Sequence, residues 1–91
     1  MSITIQLPSV LARFVDGQRT LVASGETLGV AVADVARRYP ALGERLRDER
    51  GAPYPFVTYY VNDEDARFQG GFAAALRDGD EVTVVPAIAG G

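Results

Sequence analysis

The sequence predicts an α+β fold, a mixed sheet of four to five strands with one main helix packed on one face. Three observations predict it. Strand-like apolar runs, several with period-2 alternation, stand near both ends of the chain and again in its second half. A single long segment carries helical periodicity, and it falls between the second and third strand-like runs. The chain has 91 residues and a hydrophobic content of 47%, enough for one domain with a small core.

Taken in order, Ile3, Ile5 and Leu7 alternate with Thr4 and Gln6, a half-buried strand that Pro8 stops. Asp16-Gly17 reads as a turn and Gln18 to Ala23 as the second strand, so the N-terminus is a hairpin with a long loop. Thr27 is placed to cap a helix, its hydroxyl accepting from a free amide of the first turn. Leu28, Val32, Val35 and Tyr39 then share one helical face. Pro40 blocks a simple continuation. Arg37 and Arg38 fall in the last turn, where cations suit the helix dipole; a plain solvated helix end is the preferred reading. Ala41 to Arg50 reads as a short helical turn and Gly51 to Pro55 as a loop.

Phe56 to Val61 is the strongest strand, β-branched or aromatic at every position. Its two faces are Val57, Tyr59, Val61 and Phe56, Thr58, Tyr60, and only one of them can meet the helix. The other is either a partner surface or an ordinary sheet exterior. Asn62-Asp63-Glu64-Asp65 reads as a turn; its carboxylates lack the spacing and glycine of a calcium loop, so a solvated turn is preferred to a cation site. Ala66 to Phe68 reads as a short strand, Gly70-Gly71 as a loop, and Phe72 to Leu76 as a helical turn. Asp78-Gly79-Asp80 is a turn, and Glu81 to Val85 is the last strand, ended by Pro86. Two N-terminal strands, one long crossing helix and a C-terminal strand returning to the same sheet make a β-grasp, ubiquitin-like layout.

Composition excludes much. There is no Cys and no His, which removes thiol nucleophiles, disulfides, thiolate or imidazole metal sites and any Ser-His-Asp triad. The chain is not expected to be an enzyme or to bind a metal or cofactor itself. All nine basic residues are Arg, and the net charge of −3 argues against nucleic acid. The absence of Lys also means that no side-chain amine can attack an activated acyl group. No apolar run reaches the roughly 20 residues of a membrane span. Met1-Ser2-Ile3-Thr4 shows no secretory pattern, so a cytoplasmic protein is expected.

What remains is the end of the chain. Residues 1–86 are read as the domain and residues 87–91 as a flexible Gly-Gly tail: Ala87, Ile88, Ala89, Gly90 and Gly91. From Pro86 onward, six residues at about 3.3 Å each could project roughly 20 Å. Gly90 and Gly91 have no Cβ, so the backbone can pass a narrow channel and bring the terminal carboxylate to another protein's active site. A carboxylate is a poor electrophile, so chemistry there requires prior activation, most simply by adenylation with ATP. For recognition the candidates are Phe56, Thr58 and Tyr60 together with Ile88.

The ordered series "GETLGVAVADVARRYP", "VNDEDARFQGG" and "DGDEVTVVPAIAGG", ending on free Gly-Gly, resembles the ubiquitin-like sulfur carriers. That group contains the molybdopterin-synthase small subunit and the thiamine-pathway carrier. The chain looks similar over nearly its whole length to the actinobacterial carriers of cysteine biosynthesis. The resemblance implies that an E1-like enzyme adenylates the Gly91 carboxylate with Mg-ATP, and that sulfide or a persulfide then displaces AMP to leave a thiocarboxylate. In the cysteine branch it implies attack on an aminoacrylate held by a pyridoxal-phosphate-dependent cysteine synthase, and release of cysteine by a metalloprotease. Sulfur donation to a secondary metabolite (a thiosugar or a thioacid) or to molybdopterin, and ubiquitin-like protein modification, stay open.

Overall fold

The computed structural model describes residues 2–87, and the sheet is its organising element. Strands β1 (Ile3–Gln6), β2 (Thr20–Ala23), β3 (Val57–Val61), β4 (Glu64–Asp65) and β5 (Glu81–Pro86) lie in the order β2-β1-β5-β3-β4. The central β1–β5 pair is parallel, with Ile5 beside Val82, and the other pairs are antiparallel. This is the mixed five-stranded sheet of a β-grasp fold. Among the described residues no helix is long and apolar enough to cross a membrane.

Alternation decides which way each strand faces. Ile3, Ile5, Val57, Tyr59, Val61, Val82 and Val84 are all buried and join one apolar cluster with the helices. Helix α2 (Leu28–Arg38) contributes Leu28, Ala31, Val32 and Val35 to that cluster. Its N-terminus is capped as the sequence suggested, with Thr27 Oγ1 accepting from the Val30 amide at 3.3 Å. Tyr39 leaves the helix as its C-cap, with φ −132°, and packs half-buried against the core. Arg37 and Arg38 both bond Asp34, and Arg38 also donates to the Val22 carbonyl on the β2 edge.

Three expectations are corrected. The long loop after β1 contains a helix, α1 (Ser9–Ala12, numbered before α2 in the chain), continued by a 3₁₀ turn over Arg13–Val15. Its cause is the spacing of Leu11 and Val15, four apart, which seats both in the core. The charged segment after α2 is a proper helix, α3 (Pro40–Leu46), because Pro40 occupies its first turn, where no amide partner is needed. Leu42 and Leu46 are fully buried, and Gly43 lies so close to α2 that an added Cβ would stand 2.6 Å from the Ala36 Cβ.

The third correction concerns the corner after β3. Asn62 and Asp63 take left-handed φ values of 50° and 70°, so the turn closes in two residues. Glu64 and Asp65, expected in the turn, therefore pair with Val61 and Tyr60 as β4. Ala66–Gln69, with the Ala66-Arg67-Phe68 expected as a strand, is a 3₁₀ turn whose N-cap is Asp65. A second 3₁₀ turn covers only Gly71–Ala73 of the helical turn expected at Phe72 to Leu76. The chain then extends, and Ala74 and Leu76 exchange backbone bonds with Leu28 and Glu26 at 2.9 Å. The Asn62 side chain ties the corner to β5, donating to Asp80 at 2.9 Å and accepting from the Glu81 amide at 3.0 Å.

Candidate functional site

The candidate site begins where β5 ends. This strand lies between β1 and β3, so the segment that leads to the C-terminus issues from the middle of the sheet. Pro86 still pairs with Val57, and the Ala87 amide donates to the Phe56 carbonyl at 2.7 Å. Strand pairing therefore runs one residue past the proline that was expected to end it. Pro86 lacks only its own N–H, and the next amide recovers a partner. Ile88, Ala89, Gly90 and Gly91 lie outside the described residues.

The exit is flanked by aromatic side chains. Phe56 is 54% exposed and stands in the turn just before β3. Its ring stacks on Tyr54 with centroids 4.9 Å apart and planes 16° from parallel. The Tyr54 hydroxyl donates to the Glu44 carbonyl at 3.0 Å and so holds the stack against α3. Thr58 and Tyr60 lie within β3 itself, half-buried on the side of the sheet away from the helices. Paired residues share a face, so Thr58 stands with Val85, and Tyr60 stands in one row with Thr83, Gln6 and Thr20. The structure thus brings Thr58 and Tyr60 together on the open face and sets Phe56 beside the exit.

This settles the question that alternation left open: Val57, Tyr59 and Val61 are the buried set. Burial, opposed by the nearby Arg47 charge, pushes the Tyr59 phenol well above the usual tyrosine range. Its hydroxyl donates to the Leu46 carbonyl at 2.6 Å. Sequence reasoning missed Val22 and Val85, which are exposed on the open face. The signal for Val85 was present, because Val82 and Val84 claim the inward positions of the same strand. Sequence reasoning also missed a cleft of about 550 Å³. It opens where β1 turns away at Pro8 and leaves one flank of β5 bare, and its lining includes Gln6, Pro8, Arg19, Thr83 and Val85.

Electrostatics add little chemistry. Among the described residues no cluster of three His, Cys, Asp or Glu could hold a metal ion. Asp65 is held below the ordinary carboxylate range, chiefly by the Arg67 side chain, and Asp80 chiefly by the Asn62 amide. Both carboxylates fasten turns. The sequence has no Cys and no His, so no thiol or imidazole stands beside the exit.

Known proteins share this arrangement. The chain is 46% identical to Sulfur carrier protein CysO of Mycobacterium tuberculosis over 93 aligned positions, covering all of both chains. It is 34% identical to Small archaeal modifier protein 3 of Haloferax volcanii, over 87% of this chain and 88% of that protein. A chain in the crystal structure of the Amycolatopsis orientalis BexX/CysO complex superposes with a TM-score of 0.89 at 38% identity, over 98% of this chain and 99% of that one. With residues 5–91 matching that family from the first strand to the terminal glycine, the chain belongs to the ThiS family.

Proposed function

We propose that the protein is a sulfur carrier whose reactive group is the Gly91 carboxylate. In this reading a carboxylate oxygen attacks the α-phosphorus of Mg-ATP on an E1-like enzyme, and pyrophosphate leaves. Sulfide then attacks the acyl carbon, the C–O bond to AMP breaks, and a thiocarboxylate remains. With a persulfide donor the same attack gives an acyl disulfide, whose S–S bond a second thiol cleaves, freeing the thiocarboxylate and leaving the two thiols joined as a disulfide. The chain contributes no catalytic side chain. It contributes a stalk and a surface for recognition, and its sulfur goes to an accepting synthase, most directly a pyridoxal-phosphate-dependent cysteine synthase with a metalloprotease to release the product. The observation that carries the reading is the full-length likeness to a protein named a sulfur carrier. The family match, which extends to Gly91, supports it. Thr58, Tyr60 and Val85 on the open face, with Phe56 at the exit and Ile88 beyond it, are the surface the partner enzymes would grip.

The test is intact mass after incubation with an E1-like enzyme, Mg-ATP and sulfide. One oxygen-for-sulfur exchange is expected, and deletion of Gly90-Gly91 is expected to abolish it without moving the melting temperature. A wild-type chain that never gains the exchange would sink the proposal. A second reading, protein modification through Gly91, draws on the 34% identity to a small archaeal modifier protein. It predicts denaturation-resistant conjugates in cell lysates that vanish on the same deletion.

A further inference from the structure

Phe68 differs from every other large apolar side chain among the described residues. It is 87% exposed, whereas the next most exposed, Val22, is 60% exposed. A ring left in water contributes almost nothing to folding, and its apolar area remains free to be buried by a partner. That loop is tightly fastened. Asp65 accepts from the Arg67 amide at 2.9 Å and from the Arg67 guanidinium at 3.1 Å and 2.6 Å. Gln69 Nε2 donates to the Glu64 carbonyl at 3.2 Å. Gly70, at φ 100°, closes the turn by donating its amide to the Ala66 carbonyl, and Ala66 itself is buried. Bonds hold the residues on both sides of Phe68, and among the large apolar side chains of this loop its ring is the one left in solvent. A side chain on a backbone already ordered loses less freedom on binding than one on a loose loop.

The corner also borders the exit of the C-terminal segment. Arg67, next to Phe68, shares a small cleft of about 110 Å³ with Tyr54, Pro55 and Val57. Val57 pairs with Pro86, and Phe56 holds the Ala87 amide. Phe68 follows Arg67 directly, so the ring belongs to the residue next to a cleft that Val57, the partner of Pro86, also lines. We propose that Phe68 is the anchor of an interaction surface, its ring entering an apolar pocket on the adenylating enzyme that takes Gly91. The adenylating enzyme is the partner every branch of the chemistry needs, whatever the sulfur acceptor. The inference rests on the carrier reading.

Its test is the kinetics of thiocarboxylate formation with an E1-like enzyme, Mg-ATP and sulfide, for the wild type, Phe68→Ala and Phe68→Leu. Truncating a buried interface aromatic costs about tenfold or more in affinity. Phe68→Ala should therefore raise the KM for the carrier by about tenfold or more with kcat near wild type, the scale of such an anchor. Phe68→Leu should recover part of the loss, and neither variant should lower the melting temperature. A wild-type KM in Phe68→Ala overturns the anchor while leaving the carrier reading intact. A wild-type chain that is not converted at all overturns the carrier reading, and the anchor with it. Self-association of the wild type that Phe68→Ala abolishes would show that the ring meets a second copy, and would also overturn the proposal.

Discussion

The two faces of the sheet are built from the same strands and do opposite work. The inner face sets Ile3, Ile5, Val82, Val84, Val57, Tyr59 and Val61 against the helices, and none of these is more than 6% exposed. The outer face carries Thr20, Gln6, Thr83, Tyr60 and Thr58, half-buried or exposed, with Val22 and Val85 standing among them in solvent. The difference teaches that apolar burial, which drives folding, is concentrated on one side. The other side can be altered for recognition at little cost to the fold.

That comparison breaks first in the core. Leu28 is fully buried at the start of α2, so Leu28→Ala should lower unfolding free energy by about 2–5 kcal/mol, the range for emptying a packed site. Chemical denaturation measures it, and a loss below that range would mean that the inner face is loosely packed. Tyr59→Phe is the next largest. It removes the hydroxyl that the Leu46 carbonyl accepts from, and should cost about 1–3 kcal/mol, the penalty of orphaning a buried acceptor. On the outer face Tyr60→Ala should change stability by only about 0.5 kcal/mol, as ordinary surface substitutions do. The same substitution should weaken binding to the activating enzyme by about 1–3 kcal/mol, the scale of an interface aromatic. Titration calorimetry with that enzyme checks the second figure, and unchanged affinity would reduce the outer face to a plain exterior.

Acid sharpens the contrast between the dry face and the bonded turns. Asp65 and Asp80 have folded pKa values below their unfolded ones, so the native state binds fewer protons than the unfolded state. Their stabilisation is complete above the unfolded carboxylate value of about 3.9 and is lost as pH falls through the lower folded values. Urea midpoints should fall between about pH 5 and pH 2. Amide exchange should rise first at Arg67, Arg77 and Glu81, which donate to these carboxylates or to the Asn62 side chain bonded to Asp80. Midpoints that do not move would show that the turns hold without these carboxylates.

Most of the fold was legible because its signals are local. The β1 alternation, the Thr27 cap, the Leu28-Val32-Val35 stripe and the β-branched run at β3 each specify an element within a few residues. The corner after β3 was misread because left-handed φ at Asn62 and Asp63 shortened the turn and moved the strand onto two acidic residues of poor β propensity. Pairing with Tyr60 and Val61 overrode that propensity. The α1 segment was misread because four residues are too few to show a helical period. For the candidate site, the residue types were legible and their grouping was not. Phe56, Thr58 and Tyr60 alternate in sequence, yet only Thr58 and Tyr60 lie in the strand, and Phe56 turns to stack on Tyr54.

Periodicity and composition were enough to determine a β-grasp domain with no imidazole or thiol for chemistry of its own, since both depend only on which residues occur and at what spacing. Which face of β3 is buried, which flank of β5 is bare and which aromatic rings meet solvent were decided only in three dimensions. The physical reason is that these depend on contacts between residues far apart in the chain. The parallel β1–β5 pair and the seating of α2 bring those residues together, and no local pattern records it.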